Sequence, residues 1–226
     1  AEEGIERAKE ELYKRVDNRT VLFLSGGQTP LPLYRLLAFE EIIKPAVVGL
    51  VDERYGKSLH DDSNELLIKG TGLLDYLEKQ KIPFYPMLGN DVDITQAAQQ
   101  YDKKTRDLFF QFPKSIAVTG IGKDGHTAGI APNRTDFTNP LFNTNQNDLY
   151  VAHFDDEKGP FKKRVTMTFN GLALIDFFIV LAFGQEKAEA LRKVFIQGDL
   201  EEIPARFYQQ PDIVGKTLFI TDQNIL

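Results

Sequence analysis

One glycine-rich segment of this chain carries the side chains best suited to proton transfer. It reads Gly-Ile-Gly-Lys-Asp-Gly-His-Thr-Ala over residues 120–128, with Asp124 and His126 two positions apart. Histidine is the side chain whose ordinary pKa suits general-base catalysis near neutral pH. Free backbone N–H groups of such a loop can also stabilise an oxyanion. We therefore predict Asp124 and His126 as catalytic residues, the alternative being a flexible turn that holds a solvated histidine.

A second segment has the residue types of an anion-binding loop. Residues 25–30 read Ser-Gly-Gly-Gln-Thr-Pro. Adjacent glycines let the backbone approach an anion closely, and the N-terminus of a following helix offers free N–H groups and a favourable dipole. This favours ligand contacts from Ser25, Gly26, Gly27 and Thr29, although a tight turn with Thr29 capping the helix explains the segment equally well. The spacing matches neither common nucleotide-binding loop, so nucleotide binding is not indicated.

Three cationic positions can add charge to such a site. Arg54 ends the run Asp-Glu-Arg at 52–54, and an arginine held by a carboxylate suits a two-pronged contact with phosphate. Arg164 opens a later predicted strand, and Lys187 lies in the first turn of a predicted helix, where the helix dipole disfavours a purely structural lysine. The alternatives are a surface ion pair for Arg54, with Ser63 capping the next helix, and solvated charges at the other two positions.

Composition excludes several functional classes. The 226 residues include 27 Lys and Arg against 33 Asp and Glu, a net charge of −6, which argues against non-specific nucleic-acid binding. The chain contains no cysteine, which removes thiolate nucleophiles, disulfides and cysteine-bound metals. His60 and His153 show no metal-ligand spacing, so we expect neither a metal nor another cofactor. We interpret His60 as a solvated loop residue and His153 as structural.

Hydropathy argues against a membrane association. No stretch reaches the roughly 18 apolar residues that a membrane-spanning helix requires. The first residues, Ala-Glu-Glu-Gly, are too acidic for a signal or transit peptide. We therefore expect a cytoplasmic protein with no membrane partner.

The alternation of short apolar runs with longer amphipathic runs predicts strand–helix units. The predicted strands are 21–24, 47–51, 84–88, 116–119, 149–153, 165–168, 177–183 and 218–221, and the predicted helices are 31–39, 63–79, 94–111 and 185–197. This pattern predicts an α/β fold with a single doubly wound, mostly parallel sheet flanked by helices, Rossmann-like, as one domain over residues 1–226. Ligands bind beyond the carboxyl ends of the strands in such sheets, so segments 25–30, 52–64 and 120–132 should converge on one cleft. Residues 132–147 are expected to form a long surface loop.

In this order and spacing, the segments resemble the 6-phosphogluconolactonase family, within the larger group that includes glucosamine-6-phosphate deaminase. The resemblance runs from Ser25 to about Asp222. Its pieces are the three segments at 25–30, 52–54 and 120–128, together with Ser63-Asn64, Arg164-Val165-Thr166 and Gly184 with Lys187-Ala188.

The resemblance implies an enzyme of the pentose phosphate pathway that hydrolyses 6-phospho-D-glucono-1,5-lactone to 6-phosphogluconate. His126 would act as general base on a water molecule, with Asp124 raising its basicity or orienting it. The sugar phosphate would be bound by the 25–29 loop with the side chains of Asp52, Arg54, Arg164 and Lys187.

Finer residues favour the lactonase branch over the deaminases. Deaminases typically read Asp-Glu-Tyr at the second motif, where this chain has Arg54 in place of the tyrosine. They also carry a Glu five positions after the histidine, where this chain has Ala131. The chain departs from the usual lactonase pattern at Gly56-Lys57 and at 129–132. Two alternatives stay open: a deaminase or sugar-phosphate isomerase with Asp52 as carbon base, and a non-catalytic sugar-phosphate-sensing domain, which would not need His126.

Overall fold

A computed structural model describes residues 1–89, 93–133, 148–156 and 159–224 of the chain. The strands are β1 Thr20–Leu24, β2 Val47–Leu50, β3 Asp52–Arg54, β4 Lys114–Gly120, β5 Val151–Asp155, β6 Lys163–Met167, β7 Phe177–Ala182 and β8 Thr217–Thr221. The helices are α1 Glu2–Arg15, α2 Leu31–Glu40, α3 Asn64–Lys69, α4 Leu73–Lys79, α5 Ile94–Gln111, α6 Phe169–Ala173, α7 Ala188–Val194 and α8 Pro211–Val214. Short 3₁₀ helices cover Gln185–Lys187 and Pro204–Gln209.

Five strands form a parallel sheet at the centre of the molecule, in the order β2-β1-β4-β7-β8. β1 and β2 are buried along their whole length, and β4 is buried except at its two ends. Continuous apolar runs are typical of parallel strands that are covered on both faces. The predicted α/β class, with a mostly parallel sheet flanked by helices, is confirmed.

The strand order reverses direction at β1. The chain passes from β1 to β2 on one side and later to β4 on the other, so the connections after β1 and β4 diverge at their carboxyl ends. Such a switch point opens a crevice where α/β proteins bind ligands. The two glycine-rich segments found in the sequence both leave the sheet here.

A second, antiparallel sheet differs from the expectation of one sheet. Its three strands run in the order β3-β6-β5, so the predicted strands at 149–153 and 165–168 lie here rather than in the parallel sheet. β3 has only three residues and pairs with β6, more than one hundred positions later, so no local periodicity could reveal it. The run 84–88 forms only one isolated β-bridge, between Phe84 and Val48.

Two predicted helices are interrupted. The run 63–79 divides into α3 and α4 because Gly72 adopts a φ of +84°, a conformation that suits glycine. The run 185–197 begins as a 3₁₀ turn and continues as α7.

The first helix, α1, was not predicted. It buries Ile5, Ala8 and Leu12 and carries acidic residues in its first turn and basic residues in its last, as the helix dipole favours. The expected long loop at 132–147 lies outside the described residues after Asn133. Across the described ranges, no helix is both long enough and apolar enough to cross a membrane.

Candidate active site

A cleft of about 540 Å³ lies beyond the carboxyl ends of β1 and β4. Its volume is in the range of small-molecule binding sites. The structure brings the whole set of predicted site residues to this cleft: Ser25, Gly26, Gly27, Thr29, Asp52, Arg54, Asp124, His126, Arg164 and Lys187. The expected convergence of the three sequence segments on one cleft therefore occurs, and Asp156, residues 159–161 and Arg164 join them.

Asp124 and His126 form a hydrogen-bonded pair at the cleft surface. The Nδ1 atom of His126 lies 2.6 Å from Oδ1 of Asp124, and the same oxygen accepts the backbone N–H of His126 at 3.1 Å. Both side chains are close to half-exposed, at 43% and 49%. When Nδ1–H donates to the carboxylate, the neutral ring carries its lone pair on Nε2. The pair thus presents a base to the cleft.

The backbone around this pair is a closed turn. The N–H of Gly122 donates to the carbonyl of His126 at 2.9 Å, and the N–H of Gly125 donates to the carbonyl of Gly122 at 3.0 Å. Gly125 has a φ of +86°, and a Cβ on Gly122 would overlap the His126 ring. Glycine at these two positions is what allows the imidazole to lie against the loop backbone.

The carboxylate of Asp124 stays ionised over a wide pH range. Its partial burial alone would raise the pKa, but hydrogen bonds from the ring and N–H of His126, with the attraction of that ring, lower it to about 2. A carboxylate that accepts hydrogen bonds is favoured in its charged form. Asp124 is therefore an ionised acceptor for Nδ1–H at neutral pH.

Among the residues that the structure describes, no side chain caps the N-terminus of α2, which follows the 25–30 loop. Gly27 has a φ of +82° and open space where a Cβ would stand, while Gly26 packs directly against the Asn64 amide. α2 follows with Pro30 as its N-cap residue and no side-chain cap. Thr29 does not cap the helix; its Oγ1 instead accepts a hydrogen bond from Lys187 Nζ at 2.6 Å. The loop retains the features of an anion site.

The second sheet places two arginines side by side. Arg54 on β3 and Arg164 on β6 are direct cross-strand partners, an arrangement in which like charges repel. Carboxylates compensate: Arg164 Nε lies 3.2 Å from Asp156, and its Nη1 lies 3.9 Å from Asp52. Phe161 adds an aromatic face, with its ring centroid 4.4 Å from the Arg54 guanidinium and 5.5 Å from that of Arg164. A cation above such a face gains stabilisation.

Arg54 and Lys187 are cations that line the cleft. Arg54 donates from Nη1 to the carbonyl of Asp62 at 2.7 Å, whereas its buried Nε has no partner among the described residues. Burial lowers the pKa of both side chains from their ordinary values, and nearby carboxylates oppose that shift. Partial desolvation strengthens the attraction of each cation for an anion.

Sequence reasoning missed the role of Glu53. Alternation along β3 turns Glu53 away from Asp52 and Arg54, and its side chain is completely buried. Its carboxylate accepts the backbone N–H groups of Asn64 at 2.6 Å, Arg54 at 2.7 Å and Glu65 at 2.9 Å. Burial raises the pKa of Glu53 to about 7, although these donors favour its ionised form. Glu53 thereby fixes the start of α3 to the strand that carries Arg54.

Asn64 connects two of the predicted segments. Its Nδ2 donates to the backbone carbonyl of Asp52 at 2.8 Å and lies 3.3 Å from the Asp52 carboxylate, while its amide packs on Gly26. Ser63 caps α3 by accepting the N–H of Leu66, as the alternative interpretation held. Glu53 and Asn64 both belong to motifs that the sequence shows, but their contacts, like the position of Phe161, are recognisable only from the fold.

The other two histidines lie outside the cleft lining. His60 Nε2 lies 2.8 Å from the carbonyl oxygen of Arg54, and its ring packs against Gly56, one of the departures from the lactonase pattern. His153 Nε2 lies 3.2 Å from Thr95 Oγ1. His60 thus stabilises the loop that follows Arg54 and is not a freely solvated residue. Within the described parts of the chain, no cluster of three or more His, Asp and Glu side chains could hold a metal ion.

Comparisons with known proteins agree with this geometry. A family model described as glucosamine-6-phosphate isomerases/6-phosphogluconolactonase matches residues 1–219. A 6-phosphogluconolactonase of Synechocystis is 30% identical over 208 residues, covering 88% of this chain and 80% of the relative. A glucosamine-6-phosphate deaminase of Leuconostoc citreum is 26% identical, covering 84% and 81%. The crystal structure of a Thermotoga maritima 6-phosphogluconolactonase superposes with a TM-score of 0.73 at 28% identity, covering 96% of this chain and 92% of its own.

Proposed function

Because the chain belongs to the glucosamine-6-phosphate isomerase/6-phosphogluconolactonase family, we propose that its cleft binds 6-phospho-D-glucono-1,5-lactone and hydrolyses it to 6-phosphogluconate with His126 as general base. The protein is an enzyme of the 6-phosphogluconolactonase type, a hydrolase that serves the pentose phosphate pathway. The observation that carries the assignment of His126 is its 2.6 Å contact with Asp124 at the surface of the cleft.

In the proposed reaction, Nε2 of His126 removes a proton from a water molecule as its oxygen attacks the lactone carbonyl carbon. The ring C–O bond then breaks, and the ring oxygen takes up the proton from the His126 imidazolium to become a hydroxyl of the open acid, which restores the neutral base. Asp124 holds the imidazole through Nδ1 and stabilises the imidazolium while it exists. General-base catalysis of this kind contributes roughly 10²–10⁴-fold in rate.

The phosphate group is proposed to bind where the 25–29 loop meets the cations. The 25–29 loop and Arg54 line the cleft, and Thr29 already accepts a hydrogen bond from Lys187. Arg164 already lies beside two carboxylates, Asp52 and Asp156, which balance its charge. It is therefore proposed to contact the sugar hydroxyls or the edge of the phosphate group rather than to be the main phosphate ligand. Binding a remote phosphate group positions the reacting carbon and converts affinity into rate.

The deaminase alternative has less support in this cleft. The position five residues after His126 is Ala131, which lines the cleft and offers neither a proton nor a hydrogen bond. A deaminase would need a carboxylate there to complete its proton-transfer set, as the family resemblance implies. Asp52, the candidate carbon base, is buried at 5% exposure beside Asn64 and Arg164.

We place the reaction in the cytoplasm, because a sugar phosphate carries charge that a lipid bilayer excludes. The proposed partner is this small substrate, with no nucleic-acid or membrane partner and no cofactor. The two sheets are proposed to act as one domain over residues 1–226, since the cleft takes residues from both.

The test measures acid release from freshly prepared 6-phosphogluconolactone, corrected for spontaneous hydrolysis. We expect enzyme-dependent acid release that saturates with substrate, and a much lower kcat/KM for the unphosphorylated lactone. Ammonia release from glucosamine 6-phosphate, without lactone hydrolysis, would support the deaminase instead. No reaction with either substrate would contradict the assignment as an enzyme of this family.

A further inference from the structure

A buried tyrosine lies beneath the loop that carries His126. Tyr208, in the 3₁₀ helix Pro204–Gln209, has no exposed surface. Its hydroxyl donates to Thr119 Oγ1 at 2.8 Å and lies 2.8 Å from Thr127 Oγ1, which in turn lies 3.1 Å from the carbonyl oxygen of Gly120. Three hydroxyl groups thus satisfy one another in the protein interior, where an unpaired one would be costly.

The same segment also contacts the loop on the other side of the histidine. The N–H of Ala205 donates to the carbonyl of Gly125 at 3.0 Å, and Ile203 packs where a Cβ on Gly125 would stand. Gly125 and Thr127 are the two sequence neighbours of His126. Residues 203–208 therefore contact both residues that flank the histidine, the backbone of Gly125 and the side chain of Thr127.

We propose that Tyr208 is a positioning residue for His126, one that fixes Thr127 and through it the direction of the imidazole. The inference rests on the proposed function, since it assigns Tyr208 to the same reaction. Small displacements of a catalytic group lower the rate steeply. The hydrogen-bond partners of the Tyr208 hydroxyl are Thr119 and Thr127, neither of which is a proposed substrate-binding residue, so its loss should change kcat far more than KM.

Tyr208→Phe tests this with little change in packing, because the ring is held by edge contacts with Phe178 and Phe219 that the variant keeps. We expect kcat to fall about tenfold with KM within twofold of the wild type, as for a misaligned catalytic group. The matched control is Tyr76→Phe, which removes a buried hydroxyl bonded to the carbonyl of Ile43 at 2.6 Å, away from the cleft lining. That control should lower Tm comparably and leave kcat unchanged.

A second variant, Thr127→Val, removes the hydroxyl at the other end of the contact. It should also lower kcat, and the double variant should lose less than the product of the two single losses, because both break the contact between Tyr208 and Thr127. The His126 side-chain signals in ¹H–¹⁵N NMR should shift in both variants, a readout that does not depend on the substrate. Unchanged kcat in Tyr208→Phe, a loss confined to KM or an unshifted His126 signal would overturn the proposal. If Tyr208→Phe does not fold, the same three results in Thr127→Val decide it.

Discussion

The Nδ1 atom of His126 and the Oδ1 atom of Asp124 are 2.6 Å apart, and that one oxygen also accepts the backbone N–H of His126. The carboxylate therefore fixes both the ring and the chain segment that carries it. Because Nδ1 is engaged in this way, Nε2 is the nitrogen that can accept a proton from water. A separation of two residues is enough to build the pair, since the turn at Gly125 brings the two side chains together.

Asp124→Asn should retain the fold and lose rate. An amide can still accept from Nδ1–H, but it does not stabilise the imidazolium that forms during the reaction. We expect kcat to fall by about 10–100-fold, a part of the roughly 10²–10⁴-fold that general-base catalysis supplies. Steady-state kinetics on the phosphorylated lactone provide the measurement, and kcat within twofold of the wild type would exclude this role for Asp124.

The lowered pKa of Asp124 predicts how stability and kcat depend on pH. Its ionised form is favoured in the folded protein, so the stabilising contribution is complete above the ordinary value of 3.8 and is lost as the pH falls through about 2. Titration of Asp124 should therefore produce no decline in kcat above pH 4. A decline between pH 4 and 6 that disappears in Asp124→Asn would show that the carboxylate is not held as described.

Arg54→Ala should weaken substrate binding. A hydrogen bond to a charged group contributes about 1.5–3 kcal/mol, which corresponds to a rise in KM of roughly 10–100-fold. Arg7→Ala, on the exposed face of α1, is the matched control and should leave KM unchanged. The wild-type KM in Arg54→Ala would remove this residue from the phosphate site.

Phe161→Ala should act on the same step without removing a charge. Its ring lies against both Arg54 and Arg164, with Arg54 the nearer cation. Loss of the aromatic face beside Arg54 costs about 0.5–2 kcal/mol, so KM should rise roughly 2–30-fold. Phe110→Ala, at a side chain that is 93% exposed, is the control. If both variants have the same KM, the ring does not position the arginines.

Glu53 should make stability depend on pH in the opposite sense to Asp124. Burial raises its pKa from 4.5 to about 7, so the folded protein keeps a proton that the unfolded chain releases. Stability from this group is complete below pH 4.5 and is lost as the pH rises through about 7. Glu53→Gln cannot titrate, so the Tm of the wild type minus that of the variant should decrease over this window. A constant difference would show that Glu53 is ionised throughout.

The parallel sheet and the cleft were predictable because each motif follows a buried apolar run. Parallel strands bring their carboxyl ends to one edge, so the segments after β1 and β4 had to meet. His126, Asp124 and Arg54 were recognised because their residue types and positions after strands were visible locally.

The parts that could not be predicted depend on pairing between distant segments. The partnership of Arg54 with Arg164 requires the second sheet, and the contact of both with Phe161 depends on the connection between β5 and β6. Tyr208 lies more than eighty positions from Thr127, so no sequence pattern links them. The break at Gly72, in contrast, was visible as a glycine within the predicted helix and was missed.

The most direct test of the account is the kcat of His126→Gln on freshly prepared 6-phosphogluconolactone, with spontaneous hydrolysis subtracted. Glutamine fills a similar volume but cannot act as a base near neutral pH. We predict that kcat falls by about 10²–10⁴-fold while KM changes by less than threefold, because His126 acts on water and the phosphate contacts are intact. A kcat within a few-fold of the wild type would contradict general-base catalysis by His126.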